Sequence, residues 1–215
     1  MKKLIVSATK QEVNKTLLEH KFSENKKIKN LYETKDLDIF ISGIGSAFTI
    51  FNLTQLLQNK TYSELINIGI AGTYNKNINL GELVFVKKDC FADLGIDDKG
   101  IFKTLEEENL SNQSNTFFSS IDNVKLSYKK VNAITVNTAS GSVEKIELWK
   151  QKYNPDIETM EGAGVFLICN KLNIPVMQIR AISNFVELRN KTNWEIPKAF
   201  DALADFITSY LIPKK

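Results

Sequence analysis

Short apolar runs rich in β-branched residues recur along this chain, and each stops at a small or polar residue before a stretch with helical periodicity. Leu4–Ala8, Leu37–Ser42, Leu65–Ile70, Leu83–Val86, Val131–Val136, the short run at Ile157 and Val176–Ile182 read as strands. Between them, Thr9–Phe22, the stretch from Gly45 to about Asn59, Ser142–Lys152, Gly162–Leu172 and Ile196–Leu211 read as helices, the last of them amphipathic. Strands of this length cannot cover both of their own faces, so alternation with helices predicts an α/β fold. The expectation is one domain over residues 1–215, a three-layer α/β/α arrangement around a mixed central sheet. Residues from about Asp97 to Ser127 break the rhythm: they are polar, clustered in Asn and Ser, and read as a long excursion serving as a lid or an interface arm.

Bulk properties narrow the function. At 215 residues with 43% apolar and 25% charged residues, the chain is long enough to bury a substantial core. The net charge of +3 is small and its lysines are dispersed, which argues against a nucleic-acid footprint. Cys90 and Cys169 match no metal or redox spacing, and the only histidine, His20, sits in a charge-rich helix where it should be solvated, so neither a metal nor a cofactor is expected. The apolar stretch after Met1-Lys2-Lys3 is too short for a signal peptide, and no segment reaches membrane-spanning length. A soluble, cytoplasmic protein with neither membrane nor nucleic-acid partner is the expectation.

The chemistry concentrates at two strand ends. Thr159-Met160-Glu161 closes one strand and Ser183-Asn184 the next, with helix Gly162–Leu172 between them. In an open α/β sheet, ligands gather beyond the carboxyl ends of strands, so both tips should share one crevice. A carboxylate there can accept both hydroxyls of a cis-diol, and an asparagine can donate and accept at a purine edge. Each residue also has a plain structural reading. Glu161 suits the first turn of a helix, Asn184 suits a turn or cap, Met160 suits the core, and Thr9-Lys10-Gln11-Glu12 is a capping box in which Glu12 folds back to Thr9.

The ordered set Glu12, Met160-Glu161 and Ser183-Asn184 resembles the nucleoside phosphorylase/nucleosidase family. Phe91-Ala92-Asp93-Leu94-Gly95 with Asp97 and Asp98 behind it, and Ser183-Asn184-Phe185-Val186-Glu187 with Arg189-Asn190 and Trp194, resemble the futalosine hydrolases within it. That resemblance implies a small-molecule nucleoside substrate and hydrolysis of the N-glycosidic bond of futalosine, giving hypoxanthine and dehypoxanthine futalosine in menaquinone biosynthesis. It casts Glu12 as the base that activates water and Asn184 as the group that stabilises the departing purine, an asparagine there favouring 6-oxo over 6-amino bases. Glu161 and Met160 would hold the ribose. Ala8, Gly45, Ile70, Ala71, Gly72, Thr138, Ala139, Thr159, Ser183 and Phe185 would line the rest of the site. A homo-oligomer is also implied, because a second subunit completes the pocket in the family.

One composition detail bears on the nucleophile. Only Arg180 and Arg189 occur, and phosphorylases of this family hold phosphate with arginines from the amino-terminal half, so water is favoured. The family's base-stacking aromatic before Gly141-Ser142 is replaced by Thr138-Ala139, leaving Phe185 or an aromatic of the polar excursion to stack. Arg189 and Lys191 are candidates for the 5′ arm by composition. The rival readings are an adenosine-type nucleosidase, a purine nucleoside phosphorylase and a non-catalytic nucleoside-binding protein.

Overall fold

The computed structural model describes residues 1–121 and 127–211. In chain order the strands are β1 (Lys3–Ser7), β2 (Ser23–Glu24), β3 (Leu31–Glu33), β4 (Leu37–Ile41), β5 (Glu64–Thr73), β6 (Leu83–Cys90), β7 (Gly95–Asp98), β8 (Ile101–Thr104), β9 (Thr116–Phe118), β10 (Lys129–Thr135), β11 (Ile157–Thr159) and β12 (Val176–Phe185). The helices are α1 (Asn14–Glu19), α2 (Ser46–Asn59), α3 (Val143–Tyr153), α4 (Gly162–Leu172) and α5 (Ile196–Phe206).

The fold is organised around β5. Its ten residues pair with β1 on one side and with β12 on the other, both in parallel. Beyond β1 the sheet continues through β4, β3 and β2, and beyond β12 through β6, β10 and β11. The β6–β12 and β3–β4 pairs are antiparallel, which makes the sheet mixed. β11 then returns to β5, pairing Ile157 with Thr73 and Glu158 with Gly72. Strands β5, β12, β6, β10 and β11 therefore close into a ring rather than an open edge.

Alternate residues of the strands feed two cores, as period-2 side chains must. Leu4, Val6 and Leu65 pack with Leu53 and Leu56 of α2 and with Phe166 of α4. Ile5, Ile66 and Ile68 face the other way, onto Leu17 of α1 and Leu203 and Phe206 of α5. A third cluster seats Trp149 of α3 on Cys90, Ile134 and Val136.

Several local expectations need correction. The polar excursion is not structureless: β7 and β8 form a hairpin, and β9 adds to β6, while residues 122–126 of it lie outside the described residues. Strands β2 and β3, absent from the strands read in the sequence, follow α1. Ala71 and Gly72 continue β5 instead of turning, because β11 and β12 both pair there. The first helix is short, a 3-10 turn over Gln11–Val13 leading into α1, and the last ends at Phe206 in a π-helical turn, Ile207–Leu211. His20 is half-buried, with Nε2 2.9 Å from Thr208 Oγ1. Among the described residues no helix is long and apolar enough to cross a membrane.

Candidate active site

The ring places the two predicted tips together, though not by the geometry expected of an open sheet. β11 runs antiparallel to β5, so its end at Met160-Glu161 lies back toward Ile70, while β12 runs parallel and its Asn184 sits opposite Gly72. A register shift between Ile182 and Asn184 makes Ser183 an extra residue, a bulge of the kind that re-aims a strand tip. Between these ends lies a cavity of about 350 Å³.

Glu12 forms one wall and is 6% exposed. Its Oε2 accepts from Thr9 N at 2.9 Å, Thr9 Oγ1 at 3.1 Å and Ser7 Oγ at 2.8 Å. Its Oε1 accepts from Ile70 N at 3.1 Å. The capping role and a role at the cavity are therefore shared between the two oxygens, and Oε1 keeps acceptor capacity to spare.

Glu161 faces the same space. Its Oε1 accepts the backbone N–H of Gly45 at 2.9 Å, donated from the positive-φ turn (φ 90°) that opens α2. Burial pushes its carboxyl above the ordinary carboxylate range, with the Arg180 charge and the Gly45 N–H pulling the other way. Ser46 Oγ donates to the Met160 carbonyl at 3.0 Å, fixing the turn between strand and helix.

Beneath both carboxylates lies the buried guanidinium of Arg180. It donates from Nε to Gln178 Oε1 at 2.7 Å and from a terminal nitrogen to Asn67 Oδ1. Gln178 Nε2 donates in turn to Asp89 Oδ2 at 3.1 Å, and Thr135 Oγ1 to Asp89 Oδ1 at 2.9 Å. Burial pulls the Arg180 guanidinium below its ordinary value, opposed by the charges of Glu161, Glu12 and Asp89. Gly69 leaves room for this approach: a Cβ there would lie 2.3 Å from an Arg180 terminal nitrogen and 2.8 Å from Glu12 Oε1.

At the other end, Ser183 Oγ donates to Asn184 Oδ1 at 2.8 Å and Asn184 Nδ2 donates to the Phe185 carbonyl at 2.9 Å. The amide is thereby oriented, with one Nδ2 proton left for a ligand. Glu158, buried alongside, accepts from Tyr74 Oη at 2.7 Å and from Ser140 N and Oγ at 2.8 and 2.6 Å.

Of the predicted residues, Ala8, Glu12, Ile70, Ala71, Gly72 and Ala139 line the cavity, as do Thr159, Met160, Glu161, Ser183, Asn184 and Phe185. Gly45 is not in the wall and reaches it only through Glu161. Thr138 is not in the wall either, and its carbonyl accepts from Lys145 Nζ at 3.3 Å. Of the two basic candidates for the 5′ arm, Arg189 lines the cavity and Lys191 does not. The aromatics in the wall are Phe185, Trp194 and Phe200, whereas Phe102 packs on Trp149 and Phe117 on Phe91. Sequence reasoning missed Glu158, Ser140 and Phe200; the apolar face of α5 was the available signal for the last.

The Phosphorylase superfamily model matches residues 3–211. The chain belongs to the phosphorylase superfamily. Among similar members is a futalosine hydrolase of Acidothermus cellulolyticus, 27% identical over 81% of this chain and 75% of that protein. A 5′-methylthioadenosine/S-adenosylhomocysteine nucleosidase of Buchnera aphidicola is also 27% identical, over 72% of this chain and 64% of that protein, so the matched stretch spans just under two thirds of this relative. Solved superfamily structures share the fold. The Streptococcus pneumoniae MTA/SAH nucleosidase aligns with a TM-score of 0.81 at 22% identity, covering 98% of this chain and 99% of that one. The Helicobacter pylori futalosine hydrolase aligns at 0.80 and 17%, covering 98% and 97%.

Proposed function

We propose that this phosphorylase-superfamily member is an N-ribosyl hydrolase whose substrate is futalosine, an inosine-like nucleoside, releasing hypoxanthine and dehypoxanthine futalosine. The observation that carries the choice of base is Asn184: Ser183 and the Phe185 carbonyl orient its amide so that an N–H is left to give. A 6-oxopurine presents two neighbouring acceptors, O6 and N7, to such a donor. As negative charge develops on the departing base, that hydrogen bond strengthens, a form of electrostatic stabilisation.

The remaining roles follow from position. Glu12 Oε1, with acceptor capacity unused, takes a proton from water as the bond breaks through an oxocarbenium-like state. Glu161 binds the sugar hydroxyls, its orientation set by Gly45 N. Arg180, buried and outside the cavity wall, gives two of its N–H donors to Gln178 and Asn67; it supplies charge beneath the two carboxylates without entering the cavity as a phosphate clamp. This supports water as the nucleophile.

An adenosine-type nucleosidase is the second reading, supported by relatives of that name at the same 27% identity. The deciding assay follows free base released from futalosine, aminofutalosine, inosine and 5′-methylthioadenosine, with and without phosphate. Hypoxanthine release from futalosine without phosphate is expected. Adenine release as the faster reaction would shift the assignment to the second reading, and dependence on phosphate would make it a phosphorylase.

A cytoplasmic homo-oligomer completes the proposal. Buried, unpaired Cys90 and Cys169 suit a reducing compartment, and exposed Ile44, Phe48 and Phe51 form an apolar stripe leading from the cavity along α2.

A further inference from the structure

Glu158 is a buried carboxylate that the mechanism above does not use. It is 7% exposed and lies in the cavity wall, and among the described residues no lysine or arginine forms an ion pair with it. Three donors fix it. Tyr74 Oη and Ser140 Oγ both go to Oε2, while Oε1 takes only Ser140 N, so one acceptor position on Oε1 is unfilled by these contacts.

Its position relative to Asn184 follows from the register. Glu158 pairs with Gly72 on one side of β5, and Asn184 pairs with Gly72 on the other. Side chains directly opposite one another in a sheet share a face. Gly72 has none, and the space above it is shared by Val186 and Asn184: a Cβ there would lie 2.9 Å from Val186 Cγ2 and 3.1 Å from Asn184 Nδ2. A donor amide and an acceptor carboxylate thus flank one bare backbone position at the floor of the cavity.

Purine chemistry gives this pair a meaning. A 6-oxopurine carries acceptors at O6 and N7 and a donor at N1–H; a 6-aminopurine carries an unprotonated, accepting N1. The oriented Asn184 amide offers its N–H to O6 or N7, but N7 accepts in both kinds of purine, so the N1 edge holds a further difference to read. We infer that Glu158 Oε1 accepts the N1–H of a 6-oxopurine whose O6 and N7 face Asn184, and that the two residues together select the base. This rests on the reading above only in placing a purine at this end of the cavity.

The test is calorimetric binding of free bases, which needs no turnover: hypoxanthine, adenine, and 1-deazahypoxanthine, in which C–H replaces N1–H. Hypoxanthine should bind the wild-type protein at least about tenfold more tightly than the other two, the value of a hydrogen bond to a charged group. Glu158→Gln should reduce the preference for hypoxanthine over adenine by about 10- to 100-fold. Equal binding of hypoxanthine and its 1-deaza analogue overturns the inference whether or not the variant folds, and so does failure of hypoxanthine to bind. Futalosine hydrolysis with equal binding of the two analogues would sink this inference and leave the function standing. Glu158-dependent choice of hypoxanthine without futalosine turnover would do the reverse.

Discussion

The backbone N–H of Ile70 donates to Glu12 Oε1 at 3.1 Å, tying the central strand to the residue assigned as base. Glu12→Gln would point an amide N–H at one of the donors around this carboxylate and remove the proton acceptor. We expect kcat to fall by about 10²–10⁴ with little change in KM. Retention of most of the kcat in a steady-state assay would exclude Glu12 as the base.

Asn184→Asp exchanges a donor for an acceptor at the base edge. Turnover of 6-amino substrates should rise relative to 6-oxo substrates by about tenfold or more, as polar mismatches at a reading site are strongly penalised. Paired rates on inosine-type and adenosine-type nucleosides measure it; an unchanged ratio would remove Asn184 from the selector.

Gly162 opens α4 against the buried network. A Cβ there would stand 2.1 Å from Asp89 Oδ2 and 2.4 Å from Gln178 Oε1. Gly162→Ala should destabilise the fold by about 1–3 kcal/mol or more, as overpacking does in a held core. Urea unfolding reads this directly, and a midpoint equal to wild type would show that the network yields freely.

The Asp89 carboxyl, fully buried, is pushed up to about 6 from an ordinary 3.8, chiefly by burial. Between those values the native state binds more protons than the unfolded chain, so stability falls as pH rises through that window. The loss attributable to Asp89 is on the order of 3 kcal/mol. Glu161, also raised, acts in the same direction. Comparing wild type with Asp89→Asn at about pH 4 and about pH 7 isolates the Asp89 share, because other carboxylates contribute equally to both. Identical pH slopes for the two proteins would contradict the assignment.

What could be read from sequence and what could not divide along physical lines. Strands β1, β4, β5 and β12 announce themselves because continuous apolar runs are what a sheet buried on both faces requires. The β7–β8 hairpin escapes because its exposed, polar residues carry no period, and β9 is only three residues long. Glu12 could be noticed through its capping box, yet the sequence does not show that the cap engages only Oε2 and leaves Oε1 with the Ile70 N–H at the cavity. Glu158 gave no local sign. Its setting comes from Ser140 and Tyr74, 18 and 84 residues away, and from the closure of β11 onto β5, which no periodicity encodes.

Ring closure also fixes when the site can exist. β5 meets β1 from about sixty residues upstream, and β11 and β12 from more than eighty and more than a hundred residues downstream, and Glu12, Glu161 and Asn184 hang on those three joins. During synthesis, a chain stopped before Val176 has Glu12 and Glu161 but lacks the strand that supplies Arg180 and Asn184. Until α5 follows, Phe200 is missing from the wall as well. The cavity thus needs the chain through α5, and fragments that stop before Val176 should be blind to ligand.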